Sequence, residues 1–318
     1  MHYPKYPIYI ISKGRWDSRM TQRTMEELGV PYRIVIEESE YDKYAENVPK
    51  DKIITLPPGF RDNPLYAKKD EETGLIGGSI PVRNFVWEHS IAEGHKKHWV
   101  LDDNMRHIYR LHNNLKIRVK TGSAFRILED FTDRYTNVKL SGMNYDFFCP
   151  AILKRPPYYV NTRIYSCILI DNSLPQRWRG KYNEDTDLSL RVLKDNWCTI
   201  LFHQFLVGKQ PSMTMKGGNT EEVYHIEKRG DRQSRQGDDK FDNRKEFAES
   251  LRAQHPDVVK VTWKWGRWHH DVNYSVFTQK LIKKEGLNIP KGFNEYGMKL
   301  VSLTPEQIAA EGEKNGSK

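Results

Sequence analysis

Cysteine is scarce in this chain and long apolar runs are absent. The 318 residues include three cysteines, Cys149, Cys167 and Cys198, odd in number and far apart. That spacing argues against a disulfide framework or a zinc cluster and fits reduced core residues of a cytoplasmic protein. No stretch approaches the roughly 18 apolar residues that a membrane span requires. No basic-then-apolar leader opens the chain, so neither a membrane role nor secretion is expected. Acidic residues are outnumbered, 42 Asp and Glu against 51 Lys and Arg, for a formal charge of +9. An anionic partner such as nucleic acid is compatible with that balance but not required by it. The length suits one large domain or two small ones.

What the chain does contain is alternation. "PIYIIS", residues 7–12, is β-branched and apolar and runs into the polar loop "KGRWDSR", which carries Lys13 and Arg15. A helix follows with Thr24, Met25 and Leu28 on one face, ended by Gly29. "YRIVIEESEYDKY" repeats the plan, with a strand from Tyr32 to Ile36 closing in Glu37 and Glu38. In the third unit a helix carries Phe85, Val86, His89 and Ile91, Gly94 stops it, and a strand runs from His98 to Leu101. This is the rhythm of a parallel α/β sheet. In such sheets ligands sit outside the carboxyl ends of the strands, where Ser12, Lys13, Glu37, Glu38, Asp102 and Asp103 fall.

Two acidic motifs stand out. "WVLDDN" sets Asp102, Asp103 and Asn104 against a buried run, a pattern that suits Mg²⁺ or Mn²⁺ on a diphosphate and equally suits a turn or helix cap. Side-chain alternation points Asp102 and Asn104 one way and Asp103 the other, so the two acids have different tasks. "NEDTDLSL" opens an amphipathic helix with Asn183, Glu184, Asp185 and Asp187. Acids there also stabilise the helix dipole, by about 0.3–1 kcal/mol.

Together these motifs resemble the GT-A glycosyltransferases, with "RNFVWEHSI" leading into "WVLDDN" and "NEDTDLSL" downstream. The closer resemblance is to the TET-associated glycosyltransferase family of bacteriophages. It rests on "YPIYIISKGRW", "VPYRIVIEESEYDKY" and "FLVGKQPSMTMKGGNTEEVY" and spans roughly residues 7–225. It implies a Rossmann-like mixed sheet flanked by helices, and transfer of a sugar from a UDP-sugar to the hydroxymethyl group of a modified pyrimidine in DNA. 5-Hydroxymethylcytosine is the favoured acceptor, and a phage enzyme would act in the host cytoplasm. The resemblance also implies Mn²⁺ or Mg²⁺ on Asp103, assisted by Asp102 or Asn104. Asp185 is then the general base, with Glu184 orienting acceptor or sugar, and a direct displacement inverts the anomeric centre. Ser12, Lys13, Arg15, Glu37, Arg83, Asp102, Lys209, Gly217, Gly218 and Asn219 are the expected donor contacts.

One departure bears on the metal. Lys209 stands where many GT-A enzymes place a histidine ligand, and a lysine there pairs with phosphate itself. Otherwise His203, His225 or the "RWHHD" pair, His269 and His270, completes the shell. The expected layout is a catalytic domain over 1–230, its donor half at 1–110 and its acceptor half at 111–230. An aromatic and basic extension occupies 231–303 and a polar tail 304–318. "KRPPYYVNTRIYS" and "VTWKWGRWHHDVNYSVF" interleave aromatics with cations, a composition that stacks bases and also builds cores. Two other readings stay open: a two-metal phosphoesterase using Asp102, Asp103 and His269 or His270, and a DNA-binding module without catalysis.

Overall fold

The protein is described by a computed structural model over residues 3–210, 244–287, 291, 304–307 and 309. Its first half runs β1 (Ile8–Ile11), α1 (Met20–Glu27), β2 (Arg33–Ile36), α2 (Tyr41–Ala45), β3 (Ile53–Thr55), α3 (Ile80–Ala92) and β4 (Lys97–Asp102). Then come β5 (Met105–His112), β6 (Leu115–Arg118), α4 (Ser123–Thr132), β7 (Val138–Tyr145), β8 (Tyr158–Val160), β9 (Cys167–Asp171), α5 (Glu184–Lys194) and β10 (Cys198–Lys209). After the undescribed segment follow α6 (Arg244–Gln254) and the hairpin β11 (Val259–Lys264) and β12 (Arg267–Val272).

One 10-stranded sheet organises the chain in the order β3-β2-β1-β4-β9-β7-β10-β5-β6, with β8 also on β10. β1 is parallel to β2 and β4, and β2 to β3, as the βαβ rhythm leads one to expect. β9 enters antiparallel between β4 and β7, which makes the sheet mixed.

The strands are continuously apolar because both faces are covered. Ile8, Ile10, Ile34, Trp99 and Leu101 pack with Met25, Phe125 and Leu128 on one side. Tyr9, Val35 and Val100 pack with Val86, Trp87, Leu188 and Val192 on the other. All three cysteines are buried and free.

α3 differs from its sequence reading. Its buried stripe is Ile80, Arg83, Asn84, Trp87 and Ser90 together with Val86, whereas Ile91 is exposed. Polar partners explain the choice: Asn84 Nδ2 donates to the carbonyls of Tyr66 (2.7 Å) and Trp178 (2.8 Å), and its Oδ1 accepts from Trp178 N. A buried polar group so satisfied outcompetes an apolar residue whose burial would leave those backbone groups unpaired.

α6 and the start of β11 pack on α5, with Leu251, Val258 and Val259 against Leu190. Polar contacts reinforce this seam. Asp187, fully enclosed, accepts from Arg179 (3.1 Å), Arg191 (2.9 Å) and His255 Nε2 (2.9 Å). Despite burial, those partners hold its carboxyl far below the usual range. Two tryptophans of the hairpin are surface residues, Trp265 at 85% and Trp263 at 48% exposure, whereas Trp268 is half-buried with Lys245 over its ring. No helix among the described residues is long and apolar enough to cross a membrane.

Candidate active site

Four neighbouring strands bring their ends to one edge of the sheet. Asp102 ends β4, Tyr145 ends β7, Lys209 ends β10, and Ser166 immediately precedes the antiparallel β9. Lys209 Nζ donates to Asp102 Oδ2 at 2.6 Å, to Tyr145 Oη at 3.2 Å and to Ser166 Oγ. Ser166 Oγ donates to the same Asp102 oxygen at 2.7 Å.

Close packing makes this cluster possible. A Cβ on Gly142 of β7 would lie 2.3 Å from the Cys167 carbonyl oxygen and 2.7 Å from Ile164 Cγ2. Glycine therefore lets the 164–167 segment approach β7 and carry Ser166, in the left-handed region at φ 59°, to the strand ends.

Arg83 joins the two acidic motifs. Its Nη2 donates to Asp102 Oδ1 at 3.0 Å and its Nε to Ser79 Oγ at 3.0 Å, and the guanidinium lies over the Trp178 ring. The same group stands 3.7 Å from Glu184 Oε1 and 3.8 Å from Asp185 Oδ1. Glu184 also accepts from Ser79 Oγ at 2.9 Å.

The carboxylates around this one cation have different fates. Against the cost of burial, Lys209 and Arg83 hold Asp102 well below the ordinary carboxylate range. Burial, aided by repulsion from Glu184 and Asp102 and opposed by Arg83, pushes Asp185 up to about 7. Asp185 Oδ1 is buried and accepts no hydrogen bond from the described residues, yet the side chain keeps 19% exposure. Lys209 is raised despite its burial because Asp102 faces it.

Asp103 lies past the end of β4, in the turn Asp103–Asn104 that leads into β5, and faces a separate set of partners. It accepts from Ser12 Oγ at 2.7 Å and from Arg15 Nη1, and Ser12 Oγ shares a hydrogen bond with Tyr44 Oη at 2.6 Å. Burial raises Asp103 despite Arg15. Glu37 binds Lys13 (2.9 Å) and Arg61 (2.6 Å). Asn104 gives its backbone oxygen to Gln210 N at 3.1 Å, while its buried Oδ1 accepts nothing from the described residues.

These donors bear directly on metal binding. Both oxygens of Asp102 and both of Asp103 already face N–H or O–H donors, several of them cationic. A divalent ion on Asp102 would stand in the place of the Lys209 ammonium, and one on Asp103 would meet the Arg15 guanidinium. Asn104 Oδ1 is the one open oxygen of the motif. His203 bonds the Pro156 carbonyl at 2.8 Å and packs edge-on against Tyr159, touching neither acid. His269 and His270 lie on β12, where burial beside Arg163 pulls His270 down to about 4. Among the described residues no group of three or more His, Cys, Asp and Glu comes together to hold a metal. The residue set thus fits an anion cradle neutralised by its own side chains better than a metal shell. His225, Gly217, Gly218 and Asn219 lie outside the described residues.

The family model described as TET-Associated Glycosyltransferase matches residues 6–218, a span that includes every residue of this cluster. The chain belongs to that family. A search of curated proteins found no match. Membership implies a glycosyltransferase with a nucleotide-sugar donor, and the cluster lies at the sheet edge where such a donor binds in an open α/β fold.

Several residues of this glycosyltransferase's cluster escaped sequence reasoning. Tyr145, Ser166 and Ser79 sit in segments with no acidic motif, Trp178 stands just ahead of "NEDTDLSL", and only the tertiary fold delivers them. Arg163, whose charge acts on Asp185 and whose guanidinium lies over the Tyr165 ring, is another. Its "NTRIYS" context offered aromatics beside a cation, the only available signal.

Proposed function

We propose that this glycosyltransferase moves a sugar from a UDP-sugar to the hydroxymethyl group of a modified pyrimidine in DNA, with 5-hydroxymethylcytosine as the favoured base. The observation that carries the reading is Asp185. It is a carboxylate poised near neutrality and open on one side, and Arg83 links it to the cationic cluster at the strand ends. An alcohol is a poor nucleophile, and a base with a pKa near the working pH serves it best. Asp185 takes the hydroxymethyl proton while the oxygen attacks the anomeric carbon. The bond from that carbon to the diphosphate oxygen breaks, and the nucleoside diphosphate leaves. A single displacement of this kind inverts the anomeric centre. Glu184, held by Ser79, orients the sugar or the acceptor.

Lys209, Arg83 and Arg15 supply the positive charge that the departing diphosphate requires, because preorganised charge in a buried site acts without reorganisation. Ser12, Lys13 and Glu37 line the first strand ends toward the nucleoside. Asp103 then serves as an anchor for Arg15 and Ser12. A phosphoesterase reading finds less support, since Asp102 and Asp103 face separate partner sets.

The direct test is incubation with DNA containing 5-hydroxymethylcytosine and a panel of UDP-sugars, followed by mass spectrometry of the digested nucleosides. A mass gain on the modified base, with UDP released, is the expected result. No gain on either hydroxymethylpyrimidine with any donor would refute the acceptor assignment. Because the cluster carries its own cations, transfer by metal-stripped enzyme in EDTA is expected to stay within about threefold of the rate with Mn²⁺, whereas a Lewis-acid ion contributes several kcal/mol where it acts. Loss of transfer in EDTA with recovery on Mn²⁺ would overturn the role given to Lys209.

A further inference from the structure

Residues 146–157, between β7 and β8, form an apolar projection beside the active site. Ile152 is 90% exposed, Phe147 47%, Leu153 45% and Phe148 43%. Single exposed apolar residues are ordinary, but a contiguous group of this kind marks a contact surface.

The projection is braced. Cys149 is buried at its base, and its N donates to the Asp146 carbonyl at 3.1 Å. Leu153 N donates to the Pro150 carbonyl at 3.0 Å, Asn114 Nδ2 donates to the Ala151 carbonyl at 3.0 Å, and Arg155 Nη2 reaches the Phe148 carbonyl at 3.2 Å. Such a loop holds Ile152 outward instead of folding it into the core.

An aromatic path leads from the projection to the reacting centre. Phe147 and Phe148 lie 4.6 Å apart by ring centroid, and both pack on Tyr145, at 5.1 and 5.7 Å. Tyr145 Oη accepts from Lys209 at the cluster. Cations accompany the apolar tip: Lys154 and Arg155 follow it in sequence, and the charge of Lys116 acts on Asp146 and Cys149 at its base. An apolar tip followed by cations and backed by aromatic faces is complementary to stacked bases between phosphates.

The centre itself is recessed. The Lys209 side chain is 9% exposed and that of Asp102 21%, so a base still stacked in a duplex cannot bring its substituent there. Enzymes acting on a base solve this by extruding it, at a cost of a few kcal/mol.

We infer that residues 146–157 extrude the target base: Ile152 enters the stack where the base departs, and Phe147 and Phe148 receive the extruded pyrimidine beside Tyr145. Lys154 and Arg155 meet the flanking phosphates. This rests on the DNA reading above, and its test separates the two.

The full-length chain is mixed, without donor, with a duplex carrying 2-aminopurine next to 5-hydroxymethylcytosine. Fluorescence rises when the neighbouring base leaves the stack, and Ile152→Ala is expected to remove most of that rise. With donor present, the ratio of transfer on duplex to transfer on the same single strand is expected to fall by about tenfold or more in Ile152→Ala, because a single strand has no gap to fill. Phe147→Ala with Phe148→Ala is expected to slow transfer to both forms. An unchanged ratio and an undiminished fluorescence rise in Ile152→Ala would overturn the extrusion role and leave the transferase reading intact. A wild-type chain that binds UDP but neither DNA form would overturn both.

Discussion

Asp185→Asn is expected to lower kcat by about 10²–10⁴-fold, the span attributed to a positioned general base, with the dissociation constant for UDP-sugar nearly unchanged. Asn keeps the shape and the neighbours but cannot take a proton. In the unmodified enzyme kcat/KM is expected to rise with pH and level off above about 7, since the base works only when ionised. The residual activity of the variant loses that limb. Stability moves in the opposite sense. Asp185 has a folded pKa near 7 against an ordinary value of 3.8, so between those values the folded state binds the extra proton. Stability therefore falls as pH rises across that window. Asp185→Asn removes the penalty, and its melting temperature should exceed that of the parent at pH 8 and match it near pH 3. A variant less stable at pH 8 would make the carboxylate a structural anchor instead of a base.

Arg83→Met is expected to be the most damaging substitution to the fold of the site, costing about 3–5 kcal/mol in urea denaturation, the usual effect of stripping one partner from a buried ion pair. Arg83 is 3% exposed and stands among Asp102, Glu184 and Asp185. Without it, three carboxylates face one another with Lys209 as the nearest remedy. Transfer is expected to fall with stability. Adding Asp102→Asn to the same chain relieves part of the excess negative charge, so the double variant should be more stable than the sum of the two single losses. Strict additivity would show that Arg83 and Asp102 do not interact.

The first half of the fold was legible because its strands are apolar on both faces and end abruptly in polar residues. "IYII", "RIVI" and "WVLD" each announce a strand and its terminus, and parallel neighbours then place those termini together. The acids of α5 were legible for a similar reason, a charged first turn before an apolar stripe. What stayed hidden depends on order across the sheet. Lys209 and Asp102 are 107 residues apart and meet because β9 and β7 fit between their strands. No local pattern encodes that arrangement. The burial of Arg83 was hidden as well, since periodicity seeks apolar faces and α3 buries a cation and an amide whose partners come from elsewhere. The antiparallel course of β9 was equally silent in "CILID", which reads the same in either direction.

Helix α5 carries Asp185 and Asp187 within one turn, and they are tethered to different parts of the molecule. Asp185 looks to the strand ends, and Asp187 is gripped by His255 from the far side of the undescribed segment. The span matched by the family stops at 218, so one of the three groups that clamp Asp187 lies beyond it. Helix α5 is consequently a shared beam: its first-turn acids lie within the span matched by the family, and part of its footing belongs to sequence beyond that span. A minimal fragment cut at the family boundary would retain Arg83, Asp102, Asp185 and Lys209 while losing part of what keeps Asp185 in register.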